Sequence, residues 1–279
     1  MAKKKRVTDR VYKDEKSMAG FEDNLGNYKK VALEARLKVL ELIYSAQVSH
    51  IGSVLGSADI MTVLFKKIDF DKDVFVAGKS WIASLLYYFL WKRGRISEEE
   101  LNSYCKDGSK FIGLVEPITK DIPFGIGSMG TGFPAAVGFA LAKKLKGEDG
   151  TVFCFMSDGE LNCGTTWESS LIAAHHKLDN LVVLVEENGY QAMGKTKDIL
   201  DSYFPARDWR YTSVDGHDHG AIEARLDGKF FNGEGSPRVI FAKTIKGKGV
   251  SFMENENSWH YRQVDKESYE LAQQELRQS

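Results

Sequence analysis

Residues 151–196 read TVFCFMSDGELNCGTTWESSLIAAHHKLDNLVVLVEENGYQAMGKT, and the fold turns on how this stretch is parsed. Val152–Met156 is an apolar run of strand length, followed by the polar turn Ser157-Asp158-Gly159-Glu160. Thr166–His176 is amphipathic, with Trp167, Leu171 and Ala174 at helical spacing. A second apolar run, Leu181–Val185, ends in Glu186-Glu187-Asn188-Gly189-Tyr190. The pattern predicts a strand–helix–strand unit with polar residues at the carboxyl end of each strand. In a parallel sheet, that end opens on the crevice where ligands bind.

Asp158 and Asn188 stand thirty residues apart, a separation at which a crossover can set two strand ends side by side. A carboxylate, an amide oxygen and nearby carbonyls suit a hard divalent cation such as Mg2+, which usually keeps water and phosphate oxygens as further ligands. Gly159 allows the backbone to come close to a phosphate. Asp-Gly and Asn-Gly are also common turn dipeptides, so these residues alone leave two ordinary turns as the competing reading.

Outward from this unit the same alternation continues. Residues 1–20 read as a flexible polar arm, and residues 21–279 as one domain with no internal boundary or repeat. Helices are expected over Phe21–Val48, over Ser57–Ile68 with Ser57 as N-cap, and over Ser80–Lys92. A further helix is expected over Ser97–Tyr104, where Ser97 and Glu100 form a capping box. Asp73–Ala77, Tyr211–Val214 and Arg238–Lys243 read as strands, and Phe133–Lys146, Ala221–Phe230 and Lys266–Arg277 as helices. Strands alternating with helices imply an α/β fold: three layers, a mostly parallel sheet with helices on both faces.

Composition sets the outer bounds. The chain has 279 residues, 43% hydrophobic and 28% charged, with a formal net charge of −1, which is ordinary for a globular α/β domain. That balance gives no reason to expect nucleic acid, and no apolar run is long enough for a membrane span. Three cysteines without a CxxC spacing point to a reducing, cytoplasmic compartment rather than to disulfides or zinc. The basic Lys3–Arg6 has no apolar segment behind it and is read as a solvated arm, not a secretory signal.

Asp158-Gly159 followed by Asn188 resembles the thiamine-diphosphate signature, with Ser157 in place of its first glycine. Leu161–Glu168 and His175–Leu181 resemble the transketolase family in particular. The resemblance implies the thiamine diphosphate-binding fold of the diphosphate-binding (PP) type. It also implies that Asp158, Asn188 and the Tyr190 carbonyl hold Mg2+, or the similar Ca2+ or Mn2+, against the diphosphate, with Gly159 and Glu160 beside it. Gly127-Ser128-Met129-Gly130-Thr131-Gly132 resembles the family's glycine loop, so Gly127, Ser128 and Met129 are expected to meet the aminopyrimidine. Gly78-Lys79-Ser80-Trp81 stands where the family has S-K-G-H, which puts Lys79 and Trp81 on the cofactor side. Lys243–Ser251 and Trp259-His260 match the family's T-x-K-G-x-G segment and its downstream histidine. Ile245 is then a cofactor contact, while His260 and His50 reach cofactor and substrate. His175 and His176 are read as structural.

The departures are as informative. Trp81 replaces a cofactor-side histidine; Leu114 replaces one that hydrogen-bonds the donor ketose; Cys163 replaces a glutamate. The second acid of that segment survives as Glu168, which in the family helps couple two active sites across the dimer interface. An imidazole lost at Leu114 leaves a donor hydroxyl unpaired, at about 1–3 kcal/mol if buried, and so implies altered donor choice.

The resemblance spans roughly residues 25–262, and no segment after it could supply the pyrimidine-binding domain with the family's essential glutamate. It therefore implies the N-terminal subunit of a split transketolase. With a C-terminal, pyrimidine-binding partner in an α2β2 heterotetramer, such a protein transfers a two-carbon unit from a ketose or related donor to a sugar or aldehyde acceptor through a thiamine-bound carbanion. The alternatives are the α-subunit of a thiamine-dependent 2-oxo acid decarboxylase or dehydrogenase, a transferase using pyruvate, and a silent structural subunit.

Overall fold

A computed structural model of the chain describes residues 27–192, 194–196, 208–227 and 235–278. The expected arm over residues 1–20 lies outside them. Five strands form one parallel sheet: β1 (Val74–Ala77), β2 (Val152–Ser157), β3 (Leu181–Glu187), β6 (Arg210–Asp215) and β7 (Arg238–Lys243), in the order β1-β2-β3-β7-β6. The interiors of the central strands are apolar because both faces are covered. β2 and β3 pair with Ser157 opposite Glu186, and β3 and β7 with Glu187 opposite Lys243, so three strands end level with one another. A short antiparallel hairpin, β4 (Tyr190–Gln191) with β5 (Gly194–Lys195), projects beyond β3 and has no counterpart in the sequence reading.

Eight helices accompany the sheet among the described residues: α1 (Tyr28–Ala46), α2 (Ile51–Lys67), α3 (Ala83–Lys92), α4 (Glu98–Asn102), α5 (Gly132–Lys146), α6 (Gly164–His175), α7 (His219–Leu226) and α8 (Lys266–Gln278). The chain runs β1, β2, β3 in one direction across the sheet and β6, β7 in the other. Right-handed crossovers then put α5 and α6 on one face and α7 on the opposite face. Accordingly α5 packs on α6 and α2 packs on α7. The strand order reverses between β3 and β7, which defines a crevice at the carboxyl ends of the sheet.

The structure adjusts three expectations. The first helix starts at Tyr28, capped by the Asn27 side chain accepting from Lys30 N at 3.2 Å, and residues 21–26 of its expected span lie outside the described residues. The second starts at Ile51, and Ser57 is not its cap. Two left-handed residues, Gln47 (φ 50°) and His50 (φ 77°), turn the chain just before it. Ser57 Oγ lies within the helix, 2.9 Å from both Ser53 O and Glu186 Oε2, which share its one proton. In α6 the buried positions are Thr166, Ser169, Ser170 and Ala173, while Trp167 and Leu171 of the apolar stripe point outward. The helix expected to end at Phe230 is α7, and residues 228–230 of that expectation lie outside the described residues. The Ser97–Glu100 capping box forms as read, with bonds of 3.1 and 2.9 Å.

Candidate functional site

β2 delivers Asp158 and β3 delivers Asn188 to the crevice, both buried. The Asp158 carboxylate crosses to the loop after β3, accepting from Gly189 N at 2.7 Å and Thr196 Oγ1 at 3.1 Å, while its other oxygen accepts from Gly159 N at 2.9 Å. Asn188 Oδ1 accepts from Tyr190 N at 2.9 Å. The two oxygen donors and the Tyr190 backbone thus belong to one tight constellation. Burial, and secondarily the nearby Glu186 charge, push Asp158 up to about 6 against hydrogen bonds that work the other way. A buried carboxylate held against its own ionisation suits a cation as counter-charge. Among the described residues no group of three His, Cys, Asp or Glu side chains is placed to hold a metal ion, so a cation here would draw on Asn188, main-chain carbonyls and ligand oxygens.

Glu160 is wholly buried and ties two loops together. Its carboxylate accepts from Ser157 N at 2.9 Å and from Gly130 N at 3.4 Å, and burial pushes it up to about 7. The glycine loop is thereby fixed to the Asp158 turn, with Gly127, Ser128 and Met129 exposed at its tip. A Cβ on Gly127 would meet nothing within 4 Å, so packing does not demand glycine there; the open backbone is available to a ligand. At Gly132 the reverse holds: a Cβ would collide with Ala77 O, and glycine lets α5 sit on the end of β1.

Lys79, at the end of β1, is a buried counter-ion. Its ammonium pairs with Glu186 and also donates to Ser53 O and Ser57 Oγ, both at 2.8 Å. Glu186, with no exposed surface, accepts further bonds from Ser57 Oγ at 2.9 Å and Thr244 Oγ1 at 3.2 Å. The three Lys79 donors are thus matched by three protein acceptors, and these bonds tie β1, α2 and β3 together.

His50, His260 and Trp81 come together. The His50 and Trp81 rings stack at 4.0 Å and 4°, His260 meets His50 edge-on at 4.8 Å, and Tyr261 lies 5.5 Å from His50. Burial, then the neighbouring cationic groups, lowers His50 to about 3 and His260 to about 4. Lys246, buried by the loop after β7, donates to Asn257 Oδ1 at 2.9 Å and lies 3.2 Å from His260 Nδ1 and 5.4 Å above the Tyr190 ring. Desolvation lowers it to about 8. With Lys246 as donor, His260 Nδ1 is the acceptor and Nε2 keeps its proton, ready to donate. Ile245 is half-buried beside it. Glu168 lies apart, exposed on α6 in the same outward face as Trp167, Leu171 and Ile172.

Sequence reasoning missed Glu186, Ser57 and Lys246 as site-forming residues. A carboxylate closing an apolar strand and a lysine just before the Gly247-Lys248-Gly249 loop were visible signals, but their partners are set only by the tertiary contacts.

A doubly wound parallel sheet presenting a carboxylate, an amide oxygen and a buried ammonium where the strand order reverses defines a cofactor-binding α/β domain. The family described as "Transketolase, thiamine diphosphate binding domain" matches residues 28–277, and the chain belongs to it. The chain is 32% identical over 265 residues to an apulose-4-phosphate transketolase subunit of Actinobacillus succinogenes, covering 89% of this chain and 95% of that protein. It is 30% identical over 256 residues to "6-deoxy-6-sulfo-D-fructose transketolase subunit SqwG" of a Clostridium species, covering 86% and 93%. Human transketolase is 31% identical over 263 residues, of which this chain spans 42%. The Campylobacter jejuni transketolase structure superposes with a TM-score of 0.81 at 24% identity, over 89% of this chain and 42% of that one, a likeness of fold. The chain thus spans about two fifths of the length of the solved transketolases.

Proposed function

We propose that this chain is the diphosphate- and metal-binding subunit of a two-subunit transketolase that moves a two-carbon unit from a ketose-type donor to an aldehyde or sugar acceptor. The observation that carries this reading is the Asp158 carboxylate spanning β2 and β3 to the amide beside Asn188. Asp158 Oδ, Asn188 Oδ1 and the Tyr190 carbonyl would hold Mg2+ or a similar hard cation. Gly159 and Lys246 would face the diphosphate, and Gly127, Met129 and Ile245 the ring system. Bound thiamine diphosphate supplies the nucleophile for two-carbon transfer. The chain's own groups orient it, exclude water and, through His260 Nε2–H and uncharged His50, offer hydrogen bonds to substrate.

Two relatives of nearly equal length are named as subunits, which supports a separate partner carrying the pyrimidine-binding domain. The outward apolar face of α6, with Glu168 on it, supports an α2β2 assembly in which that face is covered. Free Cys105, Cys154 and Cys163 fit a reducing cytoplasm. Leu114 offers only its carbonyl, which accepts from Tyr87 OH at 2.9 Å; a donor lacking the hydroxyl that a histidine would bind is therefore favoured over xylulose 5-phosphate.

Titration calorimetry tests the assignment. With the pyrimidine-domain partner present, thiamine diphosphate and Mg2+ bind, and Asp158→Ala removes the heat without changing the far-ultraviolet circular dichroism. No heat from the wild-type complex refutes the reading. Two-carbon transfer from xylulose 5-phosphate at an ordinary transketolase's efficiency refutes the donor assignment.

A further inference from the structure

Behind the site lies a buried network that the chemistry above does not use. Asp59, on α2, is 5% exposed and receives donors from three directions. Arg36 of α1 pairs with it, His217 Nδ1 lies 2.7 Å from Oδ2, and His219 Nε2 lies 2.8 Å from Oδ1. Arg36 is itself anchored by Nε donating to Leu55 O at 3.1 Å. His219 stacks on Tyr28 at 5.4 Å. His217 sits in the turn between β6 and α7, its backbone N–H donated to Asp215 Oδ1 at 2.9 Å.

The far side of the His217 ring reaches the candidate site. Ile245 N donates to His217 Nε2 at 2.9 Å. Nε2 accepts that bond only while it carries no proton, so the proton of this ring sits on Nδ1 and is donated to Asp59. The carboxylate therefore selects the tautomer, and the tautomer holds a backbone amide.

That amide is where the chain leaves β7. Thr244 N is bound to Glu187 O at 2.9 Å and Gly247 N to Gly52 O at 2.8 Å, so His217 secures the peptide between two sheet-and-helix anchors. Its orientation directs the next residue, Lys246, toward His260 and Asn257. The packing leaves little slack: a Cβ on Gly56 would lie 2.9 Å from Ile245 O.

We propose that His217 is a positioning residue, held as its Nδ1–H tautomer by Asp59, which fixes the Ile245–Lys246 segment for thiamine diphosphate. Its link to the cofactor rests on the function proposed above; the tautomer and the tether do not. Losing the bond leaves the Ile245 amide without its partner and its segment to be ordered at each binding event, a loss of about tenfold in cofactor affinity.

Three measurements test it. In the wild-type chain, imidazole nitrogen spectroscopy finds His217 protonated on Nδ1 and bare on Nε2. The opposite tautomer, which predominates in free histidine, overturns the proposal. His217→Asn keeps a donor toward Asp59 but cannot reach Ile245, whereas His217→Gln places an acceptor at that distance. His217→Asn raises hydrogen exchange over residues 244–250 of the full chain at least tenfold and weakens calorimetric thiamine diphosphate binding by the reconstituted complex about tenfold. His217→Gln restores both, even where the lost bond to Asp59 lowers the melting temperature. Unaltered exchange in His217→Asn, or an equal defect in His217→Gln, overturns the proposal. If the wild-type complex binds no thiamine diphosphate, the functional reading fails, while the tautomer and exchange measurements still decide the role of His217.

Discussion

Lys79→Met asks whether the ammonium at the end of β1 serves Glu186 or a ligand. Both side chains are buried, at 7% and 0% exposure, and the methionine stem preserves most of the lysine volume. After the substitution Glu186 keeps only the hydroxyls of Ser57 at 2.9 Å and Thr244 at 3.2 Å as donors. Removing one partner of a buried ion pair costs about 3–5 kcal/mol because the remaining charge is stranded. Against a total stability of about 5–15 kcal/mol, that is about a fifth or more of what holds a typical domain folded. Urea unfolding of the full chain at pH 8 should show the loss as a lower midpoint at unchanged slope. Lys79→Met with Glu186→Gln removes both charges and should recover at least half of it, since the penalty comes from the unpaired carboxylate. A loss in Lys79→Met below about 1 kcal/mol, the level of an exposed pair, refutes the counter-ion role and returns Lys79 to the ligand-binding groups.

Further outcomes follow from other parts of the structure. Burial opposes ionisation of Asp59, but bonds from His217 and His219 and the Arg36 charge hold its carboxyl well below the usual range. A depressed folded-state pKa contributes stability above the unfolded value near 3.8 that is lost as pH falls below it. The stability gap between wild type and Asp59→Asn should therefore be constant from pH 6 to 8 and narrow below pH 4; a gap unchanged at pH 3 contradicts this. His50 and His260, lowered to about 3 and 4, are uncharged above pH 5. The pH–rate profile of the reconstituted complex should consequently lack an inflection near 6.5 that disappears in His50→Asn. Trp167→Glu combined with Leu171→Glu alters residues 36% and 58% exposed, so the isolated chain should keep its stability within about 0.5 kcal/mol. Light scattering after gel filtration should show loss of the heteromer, and an intact complex would show that the α6 face is not the interface.

The parallel α/β architecture was legible because apolar runs of strand length alternate with segments of helical period. The central unit was readable in detail: β2, α6 and β3 lie within two residues of their expected ends. Less legible was the direction in which α6 faces. A stripe of Trp167 and Leu171 normally marks the buried side, yet small residues, Ser169, Ser170 and Ala173, pack inward here. Periodicity reports that a helix has two faces; it does not say which neighbour each face meets. The start of α2 was misplaced for a related reason, since Ser57 reads as a cap locally but finds its partners in Glu186 and Lys79.

Sequence alone determined that Asp158 and Asn188 close consecutive strands of one crossover, because strand length, turn chemistry and a thirty-residue spacing are local properties. Only the tertiary structure decided that Lys79 meets Glu186 across 107 residues and that Asp59 meets His217 across 158. Those pairings depend on strand order and on the helices that cover each face of the sheet, and chain-local patterns carry no record of either.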